Sequence, residues 1–343
     1  MKIIQKQKCL LCKSIAELRH NNYTGYQEPL KFEIYCCTSC NTSFSLPRVE
    51  TTAIYENIYK CGEKVPGYDR YWRYAKKIKY NKSPLEYLAK SEAIYWGVKE
   101  ALSLYVKDKT TTSIIELGSG LGYLTYSLIK ENYNVLGLDI SETAVKNATE
   151  NFGEYYKCAN VYEYSKNNAN SFDIIILTEV IEHIDNPLNF MKTVTKLLKS
   201  DGIAIITTPN KSLFPSNVVW ASDLPPVHCW WLSEDSIMYI ANEINTSVNL
   251  IKFDRYYKEN YRSYNLKVLL KDHLPQPIFD KNGKLIFKDN IITSNFRLLI
   301  GKIPYFKKIY KKIYQKINEK FNKNLIVCGT RGSMLCAVLQ KKI

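Results

Sequence analysis

The sequence predicts an α/β fold, in which a doubly wound, mostly parallel β-sheet follows a small N-terminal zinc ribbon. Three observations support this prediction. Strand-like and helix-like segments alternate between residues 113 and 207, as in parallel sheets covered by helices on both faces. A glycine-rich turn, Gly118-Ser119-Gly120-Leu121-Gly122, directly follows the first of these strands. Two Cys-x2-Cys pairs occur near the N-terminus.

The composition is that of a globular chain with a substantial core. The 343 residues are 45% hydrophobic and 24% charged, without an apolar run of the roughly 18 residues that a membrane span needs. The first residues lack the apolar stretch of a signal peptide, so we expect a cytoplasmic protein whose ten cysteines are reduced thiols or metal ligands. The net charge of +15 would suit a nucleic acid or membrane partner, but an AT-rich genome explains it as well, and we favour that explanation.

Residues 1–48 are predicted to form the zinc ribbon. Their two Cys-x2-Cys pairs, separated by 24 residues, are Cys9 with Cys12 and Cys37 with Cys40. Four thiolates at this spacing can surround Zn²⁺ tetrahedrally. Cys36 could replace Cys37 but would break the spacing. Because four thiolates leave no open position for water or a substrate, we expect a structural zinc.

Residues 49–105 are predicted to form a tyrosine-rich linker and a helix. The tyrosines, with Arg70 and Trp72 among them, would either cover an active site or pack between the ribbon and the rest of the chain, and packing is the default expectation. From Pro84 to Tyr105 the apolar residues recur at helical spacing. Ser83 precedes the proline and is placed to cap this helix.

The main domain is predicted at residues 106–343. Apolar runs predict strands at 113–117, 134–139, 172–177, 203–207, 248–253 and 333–339. Helices are predicted between them at 122–131, 142–151, 187–198 and 233–243, with Ser141 capping the second. Because the chain returns to the sheet for its last strand, the basic segment at 255–325 is interpreted as a helical insertion.

The helix predicted at 304–322 within this insertion carries an apolar stripe, and lysines occupy most of the remaining surface. Such a helix could lie on anionic lipid, giving the protein a peripheral membrane contact. Alternatively its apolar stripe packs on the domain and its lysines face water. We slightly favour packing on the domain.

The glycine turn and Asp139 together indicate a nucleoside site. Glycines after a strand permit left-handed backbone and close approach of a ligand. Asp139 ends the next apolar run, 17 residues after Gly122, near the position that binds ribose hydroxyls in nucleotide-binding α/β folds. Dinucleotide-binding dehydrogenases are the alternative, but they use Gly-x-Gly-x-x-Gly, whereas this chain has Gly-x-Gly-x-Gly.

Several segments in their order resemble class I S-adenosylmethionine-dependent methyltransferases. They are Glu116-Leu117-Gly118-Ser119-Gly120-Leu121-Gly122, Gly137-Leu138-Asp139-Ile140-Ser141, Phe172-Asp173-Ile174-Ile175, Glu179-Val180-Ile181-Glu182-His183-Ile184-Asp185-Asn186-Pro187, Leu197-Leu198-Lys199-Ser200-Asp201-Gly202 and Thr208-Pro209-Asn210. The resemblance covers about residues 112–240 and implies a seven-stranded Rossmann-like methyltransferase sheet. Glu116 and Ser119 depart mildly from the pattern, in which Asp and Cys are commoner.

Within this superfamily the chain looks most like the ubiquinone-biosynthesis O-methyltransferase branch. The two Cys-x2-Cys pairs, the tyrosine-rich linker and the segment from Val227 to Ser233 resemble a bacterial subgroup with an N-terminal ribbon. That subgroup is similar to enzymes that methylate sugars of surface polysaccharides and natural products.

The resemblance implies that the cofactor is S-adenosylmethionine. Gly118, Gly120 and Gly122 would lie beside its methionine and ribose, and Asp139 would accept hydrogen bonds from both ribose hydroxyls. Ile140 and the loop at Asn160 would hold the adenine. The remaining residues expected at the cofactor are Glu116, Ser119 and Glu179.

His183 has two interpretations that we hold at nearly even odds. It follows a predicted strand at the sheet edge where ligands bind, so it can be the base that deprotonates the acceptor, with Glu182 beside it. Alternatively the motif Glu179-x-x-Glu182-His183 resembles a divalent metal site that would bind Mg²⁺ or Mn²⁺, with His228 as fourth ligand.

The expected activity is methyl transfer to a hydroxyl of a small molecule, most simply a sugar of a surface glycan or of its precursor. One alternative is a metal-dependent RNA 2′-O-methyltransferase, although the sequence has no recognisable RNA-binding motif. Others are C-methylation of a sugar or quinone precursor, and an inert partner protein that uses the ribbon for assembly.

Overall fold

A computed structural model describes residues 5–65, 67–214, 216, 223–260, 277–286 and 334–342. The helix predicted at 304–322 lies outside these residues, as does most of the insertion predicted at 255–325. Among the described helices, none combines the length and the apolar character that a membrane span requires.

The N-terminal region forms an antiparallel sheet. Its first four strands pair in chain order and are β1 (Lys6–Lys8), β2 (Ile15–Thr24), β3 (Lys31–Cys37) and β4 (Ser43–Leu46). The fifth strand comes from far along the chain, because Trp230 pairs with Phe44 and Trp231 with Ser43. The segment predicted as a separate ribbon therefore shares its sheet with residues of the main domain.

Four helices follow this sheet: α1 (Thr52–Cys61), α2 (Asp69–Ile78), α3 (Pro84–Ser91) and α4 (Ala93–Tyr105). The last two replace the continuous helical stretch expected from Pro84 to Tyr105. The chain is extended at Glu92, whose carboxylate accepts a hydrogen bond from Tyr74 and pairs with Arg70. Ser83 takes the predicted cap position, but its side chain makes no capping hydrogen bond.

The main sheet has seven strands. They are β5 (Ser113–Leu117), β6 (Asn134–Asp139), β7 (Tyr156–Cys158), β8 (Phe172–Thr178), β9 (Leu198–Pro209), β11 (Thr246–Leu250) and β12 (Met334–Lys341), while β10 (Trp230–Trp231) belongs to the N-terminal sheet. Their spatial order is β11-β12-β9-β8-β5-β6-β7. The five strands from β9 to β7 are parallel, whereas β12 is antiparallel to both neighbours. The predicted mostly parallel sheet is confirmed.

Helices cover both faces of this sheet. They are α5 (Tyr123–Ile129), α6 (Glu142–Phe152), α7 (Val161–Asn167), α8 (Pro187–Leu197), α9 (Glu234–Glu243) and α10 (Asp254–Asn260). Ser141 caps α6 as predicted, its hydroxyl accepting from Ala144 N. In β8, Ile174 and Ile176 join one buried apolar cluster and Ile175 and Leu177 the other, which explains the continuous apolar run in the sequence.

The topology places a crevice at the carboxyl end of β5. This strand has β6 on one side and β8 on the other, so the chain reverses its direction of winding here. Loops leaving neighbouring strands on opposite sides of such a point diverge, and ligands of open α/β sheets bind in the gap.

Gly122→Ala is expected to destabilise the protein more than Gly67→Ala. Both glycines have positive φ, +76° and +92°, so both variants carry left-handed strain of about 1–2 kcal/mol. A Cβ at position 122 would also lie 2.6 Å from Ala148 Cβ and from the Tyr156 ring, which adds about 1–3 kcal/mol of overpacking. Urea unfolding measures the difference. Equal losses would contradict the close packing of the turn, because a Cβ at 67 meets no atom within 4 Å.

Candidate active site

A cavity of about 1050 Å³ lies at this crevice and collects most of the predicted site residues. Those lining it are Glu116, Gly118, Ser119, Gly120, Asp139, Ile140, Asn160, Glu179, His183 and His228. Gly122 and Glu182 are not part of the lining. Helices α1 and α2 contribute a second wall, so the tyrosine-rich segment both packs on the domain and covers the cavity.

The glycine turn presents backbone to this cavity. Gly118, Gly120 and Gly122 all have positive φ, and the turn is held by hydrogen bonds from Gly118 N and Ser119 N to Leu138 O. A Cβ on Gly120 would meet only the Tyr59 side chain, at 3.7 Å, so the space beside this backbone is open. Ser119 Oγ is buried there without a hydrogen-bond partner. The turn therefore fits a ligand that lies against the main chain.

Asp139 is fixed beside the turn at the end of β6. Its Oδ2 accepts from Gly120 N at 2.8 Å and its Oδ1 from Ser141 N at 2.8 Å. Burial raises the pKa of this carboxyl group. Because each carboxylate oxygen has two lone pairs, both can still accept hydrogen bonds from a diol in the cavity.

The other residues predicted at the cofactor have different surroundings. Glu116 is buried and accepts a hydrogen bond from Thr125, and burial raises its pKa to about 8. Asn160 uses its side-chain oxygen to cap α7. The Ile140 side chain is 70% exposed, unusual for an isoleucine beside a cavity, and is therefore free to cover an apolar ring.

His183 enters the cavity from a short helical turn between β8 and α8. Its Nδ1 lies 2.7 Å from Val227 O. A carbonyl oxygen only accepts, so Nδ1 carries the proton and Nε2 retains a lone pair. Burial lowers the His183 pKa to about 4, which keeps the ring neutral. Its geometry thus suits either a base or a metal ligand.

Glu182, His183 and His228 form a compact group of possible metal ligands, with one donor atom of each within 4.8 Å of the others. Both carboxylate oxygens of Glu182 and Nδ1 of His228 are buried without hydrogen-bond partners. Buried polar atoms normally have partners, so a metal ion would satisfy this set. Two imidazoles with one carboxylate suit Mn²⁺ or a later transition metal better than Mg²⁺, which prefers oxygen ligands.

Glu179, the fourth residue of the predicted metal motif, lies in a separate cluster. Its carboxylate accepts from Tyr71 Oη at 2.5 Å and lies 3.7 Å from Arg70 Nη2. Its φ of +52° is rare outside glycine and reverses the chain directly after β8, between the cavity and α2. Burial raises the Glu179 pKa to about 7.

The four predicted zinc ligands converge in the N-terminal sheet. The Sγ atoms of Cys9 and Cys40 are 3.8 Å apart and those of Cys12 and Cys37 are 3.4 Å apart. Zn–S bonds of about 2.3 Å in a tetrahedron require sulfur atoms roughly 3.8 Å apart, so the set fits Zn²⁺. Cys36 points elsewhere, and its thiol donates to Cys37 O and Asn41 Oδ1.

This cysteine cluster is joined to the segment that carries His228. Cys40 O accepts hydrogen bonds from Ser233 Oγ at 3.0 Å and Ser236 Oγ at 3.2 Å. Further along the same segment, Cys229 N donates to Glu182 O at 3.0 Å. The N-terminal sheet therefore braces one wall of the cavity.

Sequence reasoning did not assign Arg48 to the site, and it placed Tyr55 and Tyr59 only in a segment that would either cover a site or pack on the domain. Arg48, Tyr55 and Tyr59 come from the N-terminal third of the chain, and no local motif connects them with the glycine turn. The Tyr55 ring meets His183 edge-on at 6.1 Å between centroids. The abundance of tyrosine between residues 55 and 74 was the one available signal.

Comparison with known proteins agrees with this geometry. Residues 86–248 match a family model described as a methyltransferase domain. The ubiquinone biosynthesis O-methyltransferase of Caulobacter vibrioides is 31% identical over 106 residues, 29% of this chain and 42% of that protein. The one from Rickettsia bellii is 32% identical over 117 residues, 33% of this chain and 48% of that protein. The chain thus spans less than half the length of these relatives.

Among solved structures, a SAM-dependent methyltransferase from Archaeoglobus fulgidus aligns with a TM-score of 0.42 at 15% identity, covering 71% of this chain and 93% of that one. The order of the strands and the cavity at the end of β5 agree with this match to a methyltransferase domain. Homologues of the chain at about 30% identity are named ubiquinone biosynthesis O-methyltransferases.

Cys37→Ser is expected to lose zinc, whereas Cys36→Ser keeps it. The two cysteines are adjacent, but only the Cys37 thiol joins the four-sulfur cluster. Elemental analysis of the purified full chain should find about one zinc per wild-type protein and per Cys36→Ser protein. Equal zinc content in both variants would contradict the assignment of ligands.

Proposed function

We propose that this chain transfers a methyl group from S-adenosylmethionine to a hydroxyl of a small-molecule acceptor. The observation that carries the proposal is a single cavity that joins the glycine turn and Asp139 with the ring of His183. The turn and Asp139 supply a nucleoside site, and His183 supplies a group that can accept a proton or bind a metal beside it.

The proposed cofactor lies across the ends of β5 and β6. Backbone at Gly118 and Gly120 adjoins its methionine and ribose, and the open lone pairs of Asp139 accept from the ribose hydroxyls. Ile140 covers one face of the adenine, which would account for the exposure of this side chain.

Methyl transfer from a sulfonium needs little acid catalysis, because the leaving group is a neutral thioether. The reaction needs in-line placement of the nucleophile and, for a hydroxyl, removal of its proton. The neutral His183 ring accepts that proton at Nε2, while Val227 O holds the ring through Nδ1.

A metal-dependent variant of this function is favoured by the orphaned atoms of Glu182 and His228. Mn²⁺, which this ligand set suits better than Mg²⁺, would lower the pKa of a bound acceptor hydroxyl if Glu182, His183 and His228 held it. In this metal-dependent mechanism His183 would be a neutral ligand and Glu182 would be the ligand that carries the negative charge. C-methylation remains an alternative that uses the same cofactor site.

We propose a sugar hydroxyl, of a surface glycan or of its precursor, as the acceptor. Faces of tyrosine rings suit the apolar faces of a sugar, and Tyr26, Tyr55 and Tyr68 line the cavity. The cysteine cluster at the N-terminus supports the ribbon-bearing subgroup whose resemblance suggested this acceptor.

Asp139→Ala is expected to weaken S-adenosylhomocysteine binding about 10- to 100-fold, because hydrogen bonds to a charged group contribute about 1.5–3 kcal/mol. Isothermal titration calorimetry measures this affinity. Asp173→Asn is the matched control, because Asp173 lies on β8 outside the cavity and bonds Ser113 and Lys199. Unchanged binding by Asp139→Ala would rule out the proposed cofactor site.

His183→Ala is expected to keep S-adenosylhomocysteine binding but to reduce methylation about 10²- to 10⁴-fold, the usual contribution of a general base. Mass spectrometry of glycans from cells that lack the protein, complemented with wild type or variant, detects the methyl group. If the wild type and His183→Ala restore the methyl group equally, the proposed role of His183 is contradicted.

Glu182→Gln distinguishes the two roles of His183. If a metal is bound, Mn²⁺ titration followed by electron paramagnetic resonance detects one site in the wild type and none in Glu182→Gln. If His183 acts as a base, no Mn²⁺ site is found, and methylation is the same with and without added Mn²⁺.

A further inference from the structure

Arg48 is a cation in the cavity wall for which the described part of the chain offers no hydrogen-bond partner. It lies two residues after β4, next to Val49 and Glu50 in the same wall. Its Nε, Nη1 and Nη2 are closed to solvent, and none has a hydrogen-bond acceptor. A guanidinium group carries five N–H donors, and a buried charge without a partner is costly. Since no described residue satisfies these donors, the arrangement suits the binding of an anionic group at this point of the cavity wall.

Two carboxylates of the same wall, Glu50 and Asp185, form no hydrogen bond with Arg48. Both oxygens of Glu50 accept from Thr52 N, and Oε1 also accepts from the Thr52 hydroxyl. Asp185 acts on Arg48 through its charge but forms no hydrogen bond with it, and Asp185 is exposed to water. Burial lowers the Arg48 pKa to about 10, so the group remains cationic at neutral pH.

Stacking on Trp230 holds Arg48 close to the chain segment that carries His183. Its Cζ lies 4.4 Å from the centroid of the Trp230 ring. The Nε1 of Trp230 donates to Ile184 O at 2.7 Å, and Ile184 directly follows His183 in the chain. The ring offers a cation–π contact but no acceptor for the N–H groups, so the donors stay unsatisfied.

We propose that Arg48 binds an anionic group, a phosphate or a carboxylate, of the methyl acceptor. This inference rests on the proposed function and deepens it by giving the acceptor a charge. The planar guanidinium matches two oxygens of either group. A bound anion would give the guanidinium N–H groups the acceptors that the Trp230 ring does not offer, in charge-assisted hydrogen bonds.

The acceptor that follows is a sugar attached to a phosphate, or an acidic sugar, rather than a neutral polyol. Its anionic group binds next to Trp230 and Ile184 while its hydroxyl lies at His183. The proposed cofactor also carries an anionic group, its methionine carboxylate, which is the competing ligand for Arg48. The experiment separates binding of the acceptor from binding of the cofactor.

The test compares Arg48→Met with Arg255→Met in the full zinc-loaded chain. Arg255 is the control, because it also stacks on a tryptophan, with Cζ 5.3 Å from the Trp96 ring, but lies outside the cavity and is already paired with Glu100. Both variants lose one positive charge. Inorganic pyrophosphate and malonate, a phosphate and a carboxylate probe, are titrated calorimetrically into protein saturated with S-adenosylhomocysteine.

At least one probe is expected to bind the wild type and Arg255→Met equally, and to bind Arg48→Met at least tenfold more weakly. The probe that responds identifies the anionic group. The affinity for S-adenosylhomocysteine is expected to be the same in all three proteins, which also shows that Arg48→Met is folded. If that variant does not fold, Arg48→Lys, which keeps the charge but loses the planar fork, takes its place with the same expectation.

Two results would overturn the inference. One is the absence of binding by either probe, or equal binding by all proteins. The other is a loss of S-adenosylhomocysteine affinity in Arg48→Met, which would assign Arg48 to the cofactor carboxylate. If the wild type binds no S-adenosylhomocysteine, the proposed function fails. Titration of the two probes into the proteins without S-adenosylhomocysteine then still shows whether Arg48 binds an anion.

Discussion

The pairing of Trp230 with Phe44 is the contact on which the candidate active site depends. Both side chains are buried, their rings lie 5.8 Å apart, and they join the N-terminal sheet to the segment carrying His228. A buried aromatic ring of this kind removes roughly 150–250 Å² from water, an upper estimate of about 4–6 kcal/mol. Trp230 Nε1 also holds Ile184 O, so the same residue positions the turn of His183.

The N-terminal sheet is consequently part of the site and not an appendage. The hydrogen bonds from Ser233 and Ser236 to Cys40 O connect the cysteine cluster to the start of α9. Cys229 N bonds Glu182 O on the opposite side of the same segment. Zinc in the cluster would stiffen one end of this connection, because structural zinc sites contribute directly to folding free energy.

Unsatisfied polar atoms concentrate around the cavity. Ser119, Glu182, His228, Arg48 and Tyr55 all have buried polar atoms without hydrogen-bond partners. Each such atom costs about 1–3 kcal/mol, so the protein without ligands carries a destabilised cavity wall. Ligands that satisfy these atoms bind only the folded state and therefore stabilise it.

Most of the main sheet could be predicted from sequence because its signals are local. The buried strands β5, β6 and β8 are continuous apolar runs, and the glycine turn needs its residues at fixed spacing. Strand β7 was missed because its three residues are largely exposed and have no apolar pattern. The break at Glu92 was missed because the residues that contact its carboxylate, Arg70 and Tyr74, lie in another helix and leave no local pattern.

The acceptor side of the site could not be predicted, since it is assembled from distant segments. Arg48 meets Trp230 only because a two-residue strand pairs with β4, and no sequence period reveals such a pairing.

The single lone pair of Nε2 limits the chemistry proposed at His183. Nε2 has one lone pair, so His183 cannot bind a metal and accept the acceptor proton at the same time. If His183 is the base, the carboxyl group of Glu182 would lie beside the imidazolium, whereas in a metal site Glu182 and His183 would both be ligands and the acceptor hydroxyl would lose its proton to water.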